Sequence, residues 1–170
     1  LQLNLSLDAI DDEKAKEMAG TKSYNINHVK DVVAYASEKM PKTPIVAPVL
    51  TPGFNDGEME KIILFIKSLK KQPILGIQNY LHYKTGRNPG KELAWPEFYR
   101  RLGEWEKQHG IKLKLDKEYF NVKETKELPK PFQEGDEVTA VIKCPDRFPK
   151  SSIAIAKDRT ISVPNCEFRK

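Results

Sequence analysis

Four polar residues at alternate positions, Gln2, Asn4, Ser6 and Asp8, are the first candidates for chemistry in this chain. They alternate with Leu1, Leu3, Leu5 and Leu7, so on an extended backbone the polar set shares one face and the leucines the other. A buried ladder of amide, hydroxyl and carboxylate groups is costly without partners, so this face must meet a ligand, water or a polar interior. Two further clusters follow short apolar runs. Pro52-Gly53-Phe54-Asn55-Asp56 comes after Ile45 to Leu50, and Gln78-Asn79-Tyr80 ends the run from Ile74, with His82, Tyr83, Lys84 and Arg87 beyond it. In parallel α/β folds the working side chains sit at the C-terminal strand ends, which selects these three clusters. The adjacent amides of Gln78 and Asn79 are poor strand formers, which favours a ligand-facing role. Ser6 and Asp8 suit a turn or a helix cap equally well, and Asn55 with Asp56 suits a helix cap better than a ligand. His82 and His109 have no spaced partner for acid–base work, and His28 reads as a helix-surface residue.

Several chemistries are excluded by missing patterns. There is no Gly-rich phosphate loop, His-Glu-x-x-His, Gly-x-Ser-x-Gly or Cys-x-x-Cys. Cys144 and Cys166 read first as buried reduced thiols and second as a disulfide; two cysteines are too few for a metal site. They also exclude a disulfide-stapled secreted scaffold, so a reducing cytoplasm is the expected compartment. No apolar run reaches the roughly 18–20 residues of a membrane span, and no signal segment opens the chain.

The elements that must position these residues follow from periodicity. After the Leu1–Leu7 strand pattern, Asp11-Asp12-Glu13 suits the N-terminus of a short helix that stops at Gly20. Asn27 is placed to cap a second helix that Pro41 and Pro44 end, with Val29, Val32, Val33 and Ala36 inward. Ile45 to Leu50 has the continuous apolar character of a strand covered on both faces. Met59, Ile62, Ile63, Ile66 and Leu69 then mark the clearest helix, with Asn55 or Asp56 as its cap. Ile74 to Tyr80 reads as a third strand. Pro96 opens a helix bearing Phe98, Tyr99, Leu102 and Trp105, and Gly110 closes it. Ile111, Leu113 and Leu115 predict one more short strand.

This βαβ order predicts a parallel sheet over residues 1–120, yet three or four strands cannot close a barrel. The α/β part is therefore expected to be partial, and the chain, opening at Leu1 inside a strand pattern, to be a piece of a longer protein. The exposed Leu1–Leu7 edge would pair with the missing segment or with another chain. Residues 121–131 are charged and proline-bearing and read as a linker. In 132–170, short alternating runs (Val138, Ala140, Ile142; Ile153, Ile155; Ile161, Val163) separated by turn residues predict a small antiparallel barrel of OB-like type, for which about forty residues is short, so this end too is expected to be cut off.

The chain has 170 residues and a net charge of +5. Residues 1–60 carry 6 basic and 10 acidic side chains, 61–130 carry 16 and 8, and 131–170 carry 7 and 6. The basic middle reads either as a solvated surface or as a patch for phosphate or RNA.

Leu5-Ser6-Leu7-Asp8-Ala9-Ile10, Ala47-Pro48-Val49-Leu50-Thr51-Pro52-Gly53-Phe54-Asn55-Asp56 and Leu75-Gly76-Ile77-Gln78-Asn79-Tyr80 together resemble the second half of a radical SAM core domain. The stretch from Tyr80 to Pro89 is similar to an archaeal group of that superfamily carrying a C-terminal TRAM-like domain. Glu134-Gly135-Asp136-Glu137-Val138 and Arg159 to Cys166 fit such a domain. The resemblance implies half of a radical SAM-type (β/α) barrel, a linker and a small OB/TRAM-like β domain. It implies S-adenosylmethionine as cofactor, cleaved reductively at a [4Fe–4S] iron–sulfur cluster whose three cysteines would lie upstream of Leu1. Ser6 and Asp8 match the ribose or methionyl site, Val49, Leu50 and Pro52 the adenosyl approach, and Gln78, Asn79 and Tyr80 the adenine and substrate end. A TRAM-like domain implies RNA, especially tRNA, held by Lys84, Arg87, Lys143, Arg147 and Lys150. The function so implied is radical modification of an RNA base. The alternatives are radical chemistry on a small molecule, lipid or protein, and a non-enzymatic RNA-binding module.

Overall fold

The computed structural model describes residues 2–117, 119–120 and 124–168. Leu1 of the expected first strand, 121–123 of the expected linker and 169–170 lie outside the described residues. The chain divides into two units, Leu1–Leu81 with Pro89–Asn121, and His82–Asn88 with Val122–Lys170. Part of the loop before the last helix thus belongs to the second unit.

The first unit runs β1 (Asn4–Leu5), α1 (Asp12–Ala19), α2 (Ile26–Lys39), β2 (Ile45–Val46), β3 (Val49–Leu50), α3 (Asp56–Ser68), β4 (Ile74–Leu75), β5 (Gln78–Asn79) and α4 (Trp95–His109). Strands β1, β2 and β4 are parallel neighbours in that order, and β3 pairs parallel with β5. The break between β2 and β3 falls at Pro48, which has no N–H to donate. Its carbonyl still accepts from the Gln78 N–H at 2.8 Å, so the two short ladders form one run.

Period-two alternation then sorts the side chains. Leu5, Val46 and Leu75 share a row, and with Leu7 they turn toward the helices, where Met59, Ile62, Ile63 and Ile66 of α3 are wholly buried. Each such side chain stabilises the fold by roughly 1.5–3 kcal/mol. Local chemistry delimits the helices. Asp11 caps α1 by accepting from the Lys14 N–H, and Gly20 ends it at φ +71. The cap of α2 is Asn25, which accepts from the His28 N–H, rather than Asn27: the buried Ile26 is already helical. Pro96 is the second residue of α4, within the first turn where a missing N–H costs nothing.

The strand expected at Ile111 to Leu115 does not form. Its amides are used locally: Leu113 and Lys114 both donate to the Glu106 carboxylate at 2.8 Å, and Leu115 to the Leu113 carbonyl. Leu113 is nonetheless buried against α4.

The second unit carries one antiparallel sheet, β6 (Val141–Pro145), β7 (Ser151–Ala156) and β8 (Arg159–Pro164), in that order. Among the described residues it is not a closed barrel. Lys157 and Asp158, both at positive φ, make the two-residue turn joining β7 to β8, of the primed kind that suits strand twist. Val138 and Ala140 precede β6 rather than join it. The β7 partner ends at Ala156, so Val138, whose place in the register falls at the β7–β8 turn, has no strand neighbour. Nor do Ile153 and Ile155 face inward. Ser152 and Ala154 are the wholly buried pair, and the Ser152 hydroxyl donates to the Cys166 carbonyl.

Candidate functional site

Two separate constellations emerge, one in each unit. In the first unit, strand register places Asn4 in the row of Ile45 and Ile74, on the face that Ala47, Val49, Gly76 and Gln78 share by alternation. Asn4, Ser6 and Gln78 are exposed, so the polar ladder of the first strand does remain clear of the core. Ala47 and Gly76 give this face a low floor. A cavity of about 460 Å³ lies over it and around the β4–β5 edge, lined by Asn4, Gln78, Leu115, Phe120, Trp95 and Tyr99 among others. That size is in the range of small-molecule sites.

At the strand ends the polar side chains lace the loops together. Asp8 Oδ1 accepts from the Val49 N–H at 2.7 Å. Asn55, wholly buried, accepts from the Thr51 N–H at 2.8 Å and donates to the carbonyls of Asp8 and Val49, both at 2.9 Å. It occupies the cap position of α3 but makes no side-chain capping bond there, because its amide is committed to the strands. Asp56 instead accepts from the Gly53 N–H and pairs with Arg101 at 2.6 Å. Glu58 accepts from the N–H groups of Ile10 (2.7 Å) and Asp11 (2.9 Å) and pairs with Lys61.

Burial pushes the Asp8 carboxyl up from the ordinary aspartate value, with the Val49 N–H acting in the opposite direction. The Tyr24 phenol is also raised, by burial and then by the nearby Asp8 charge. Both line a smaller cavity of about 200 Å³ that Ser6 shares. For Glu58 burial alone would raise the value, but the Lys61 ammonium and the Asp11 and Ile10 N–H groups outweigh it and hold the carboxyl low. Glu58 is a structural tie, whereas the surroundings of Asp8 disfavour its charged form.

The other expected cofactor residues separate by face. Val49 shares a row with Gln78, and Leu50 with Asn79. Leu50 is wholly buried in the core, and Asn79 donates to the Leu93 carbonyl at 2.8 Å, so this row turns toward the helices. Asn79 Oδ1, buried and without a hydrogen-bond partner, is an acceptor left over beside the larger cavity. Pro52 and Tyr80 are half-buried in the loops after their strands. Ser6 and Asp8 thus line the smaller cavity, Gln78 and Asn79 border the larger one, and Leu50 is buried in the core.

In the second unit, all five basic candidates are present and exposed. The Lys84 N–H donates to the Arg147 carbonyl at 2.8 Å, which joins the 82–88 segment to the turn after β6. Arg147 lies 5.4 Å from the Tyr83 ring centre and 4.9 Å from that of Phe148, and the two rings are 6.0 Å apart. Lys143 sits where the β6–β7 register shifts, an unpaired bulge position that re-aims a side chain. Asp146 anchors the turn: it accepts from the Ser162 hydroxyl and from the Arg147 N–H, and its own N–H donates to Ser151. The Ser162 bond first, then the Arg147 and Phe148 amides, hold its carboxyl below the ordinary value.

Glu58 is not singled out from the sequence, Asn55 reads there chiefly as a helix cap, and Tyr83 and Phe148 are not brought together. The adjacency of aromatic and basic residues in Tyr83-Lys84 and Arg147-Phe148 was the available signal for the last two. Cys144 and Cys166 are free thiols, and Cys144 is exposed rather than buried because β6 is an edge strand with every residue exposed.

Comparison with known proteins adds one relative. The chain is 32% identical over 186 aligned positions to Uncharacterized protein MJ0103 of Methanocaldococcus jannaschii, an alignment taking in 97% of this chain and 43% of the relative. The chain therefore spans less than half the length of the curated relative it matches. No family model matches the chain. No solved structure matches it either. Among the described residues no group of three or more His, Cys, Asp or Glu could hold a metal ion, and no helix is long and apolar enough to cross a membrane.

Proposed function

We propose that this chain is the C-terminal part of an archaeal-type radical SAM protein that modifies RNA, with the α/β unit as a partial barrel and the β unit as a TRAM-like RNA holder. The observation that carries the RNA part is the Lys84–Arg147 backbone bond, which joins two distant segments into one basic and aromatic surface. That unit carries twelve basic and eight acidic side chains, a field suited to a polyanion. The relative's greater length leaves room for the cluster-bearing half, and its archaeal source agrees with the resemblance.

The donor groups present suit the two implied groups unequally. The [4Fe–4S] cluster does not fit here: the two thiols are in the β unit, on β6 and after β8, and no third metal-binding group accompanies them among the described residues. S-adenosylmethionine fits better, and when bound with its cluster it would supply a carbon radical. Ser6 and Asp8 would orient its polar groups from the smaller cavity and Gln78 from the border of the larger one, with the Asp8 carboxyl toward its ammonium or hydroxyl groups. The Val49 and Thr51 amides are already committed to Asp8 and Asn55, so side chains rather than these amides would meet it.

The reading is tested on the full-length protein prepared without oxygen. Iron and sulfide in roughly equal amounts, and release of 5′-deoxyadenosine from S-adenosylmethionine under reduction, are expected. A protein that carries no cluster-binding cysteines and releases none would refute it. A second reading, radical chemistry on a small molecule, is favoured by the 460 Å³ cavity and its unpartnered Asn79 oxygen. Absence of RNA binding at low salt together with cofactor cleavage would select it.

A further inference from the structure

We infer that Tyr83, Arg147 and Phe148 form a stacking seat for an unpaired RNA base, so that the β unit holds single-stranded rather than duplex RNA. This rests on the RNA reading above and specifies the form of RNA involved.

Three observations carry it. Phe148 is 39% exposed in a turn and belongs to no core cluster, so packing does not account for it. Its only described ring contacts are Tyr83 and the Arg147 guanidinium, giving three planar groups within 6.0 Å of one another. A base can stack on such faces, and the Arg adds a cation–π contribution.

The seat is also fixed before any ligand arrives. Asp146 holds the start of the turn through Ser162 and the Arg147 N–H, the Arg147 carbonyl takes the Lys84 N–H, and the Lys150 carbonyl takes the Cys166 N–H. Asn88 adds a bond from its amide to the Tyr83 carbonyl at 2.8 Å. Rings held this way lose little freedom on binding.

The charges complete the argument. Lys84 and Arg87 come from one segment, and Lys143 and Lys150 flank the turn on the other, so phosphates on either side of a stacked base would meet lysine or arginine. Within a duplex the base faces are covered by their neighbours; only an unpaired base offers one.

The test uses the full-length protein, a labelled single-stranded RNA 12-mer (on the order of one OB-type site) and the duplex of the same sequence. Fluorescence anisotropy is read over a salt series. Single-stranded RNA should bind at least about tenfold more tightly than the duplex. Phe148→Ala should weaken single-strand binding by about five- to a hundredfold without changing the salt slope, and Phe148→Trp should restore it. Lys150→Ala should instead lower the slope by about 0.7, the loss of one phosphate contact. Unchanged thermal unfolding of Phe148→Ala would exclude misfolding as the cause. Equal binding of duplex, or an Phe148→Ala protein that binds single strands like the wild type, overturns the inference while leaving RNA binding intact. Binding of neither RNA at low salt overturns the underlying RNA reading as well.

Discussion

Replacing Asn55 by alanine removes the tie between the first two strand ends. Three hydrogen bonds go with it: one accepted from Thr51 and two donated to the carbonyls of Asp8 and Val49. At about 1 kcal/mol net each, the direct loss is about 3 kcal/mol. The Thr51 N–H, at a residue 3% exposed, is then left without its acceptor, which adds about 1–2 kcal/mol. The sum, about 4–5 kcal/mol, is a large part of the roughly 5–15 kcal/mol that holds a domain folded. All four described helices belong to the first unit, so urea unfolding followed by far-UV circular dichroism reports mainly on this unit. Asn55→Asp provides the control. It keeps an acceptor for Thr51 but sets an oxygen against two carbonyls, so at neutral pH it should be at least as destabilising. A loss below about 1 kcal/mol for Asn55→Ala, or a harmless Asn55→Asp, would refute the assignment of these bonds as the clamp.

Asp8 and Glu58 should show opposite pH behaviour. The native Asp8 carboxyl is raised, so it binds its proton more readily folded than unfolded, and its contribution to stability falls as pH rises through the raised value. Asp8→Asn should therefore be neutral or stabilising at pH 7 in a denaturation titration, while abolishing cofactor cleavage in the full-length protein; a marked loss of stability would show that the charge serves folding. Glu58 is held low, so its contribution is present above the ordinary glutamate value and disappears as pH drops through the native value. Glu58→Gln should cost about 1–2 kcal/mol at pH 7 and flatten the acid limb of the stability profile; an unchanged limb would contradict the tie to Ile10 and Asp11.

Much of the first unit was legible from periodicity alone. The helix bearing Met59, Ile62, Ile63 and Ile66 and the alternation from Leu3 to Asp8 rest on patterns that repeat locally, and burial follows them. The failures share one cause. Ile111 to Leu115 alternates like a strand, but Glu106, across a helix terminus, takes the amides a strand would need. Val138 alternates with Ala140 and Ile142 too, yet its place in the register lies past the end of β7 at Ala156, and a strand exists only as far as its neighbour runs.

The candidate sites divide in the same way. Ser6, Asp8 and Gln78 could be chosen from their types and places in the chain, because residue parity along a strand already decides which of them share a face. That Leu50 and Asn79 turn inward follows from the same parity once register is known, and register is a tertiary quantity. Asn55 looked like a helix cap because capping is a short-range bond between near neighbours. Its carbonyl partner on Asp8 lies 47 positions away, and no local rule reaches that far. Residue types and periodicity thus determined the α/β character of residues 1–120 and the polar face of the first strand. Only the folded chain decided what Asn55 and Glu58 hold, and which basic side chains meet Tyr83 and Phe148, because those contacts depend on where distant backbone segments come to lie.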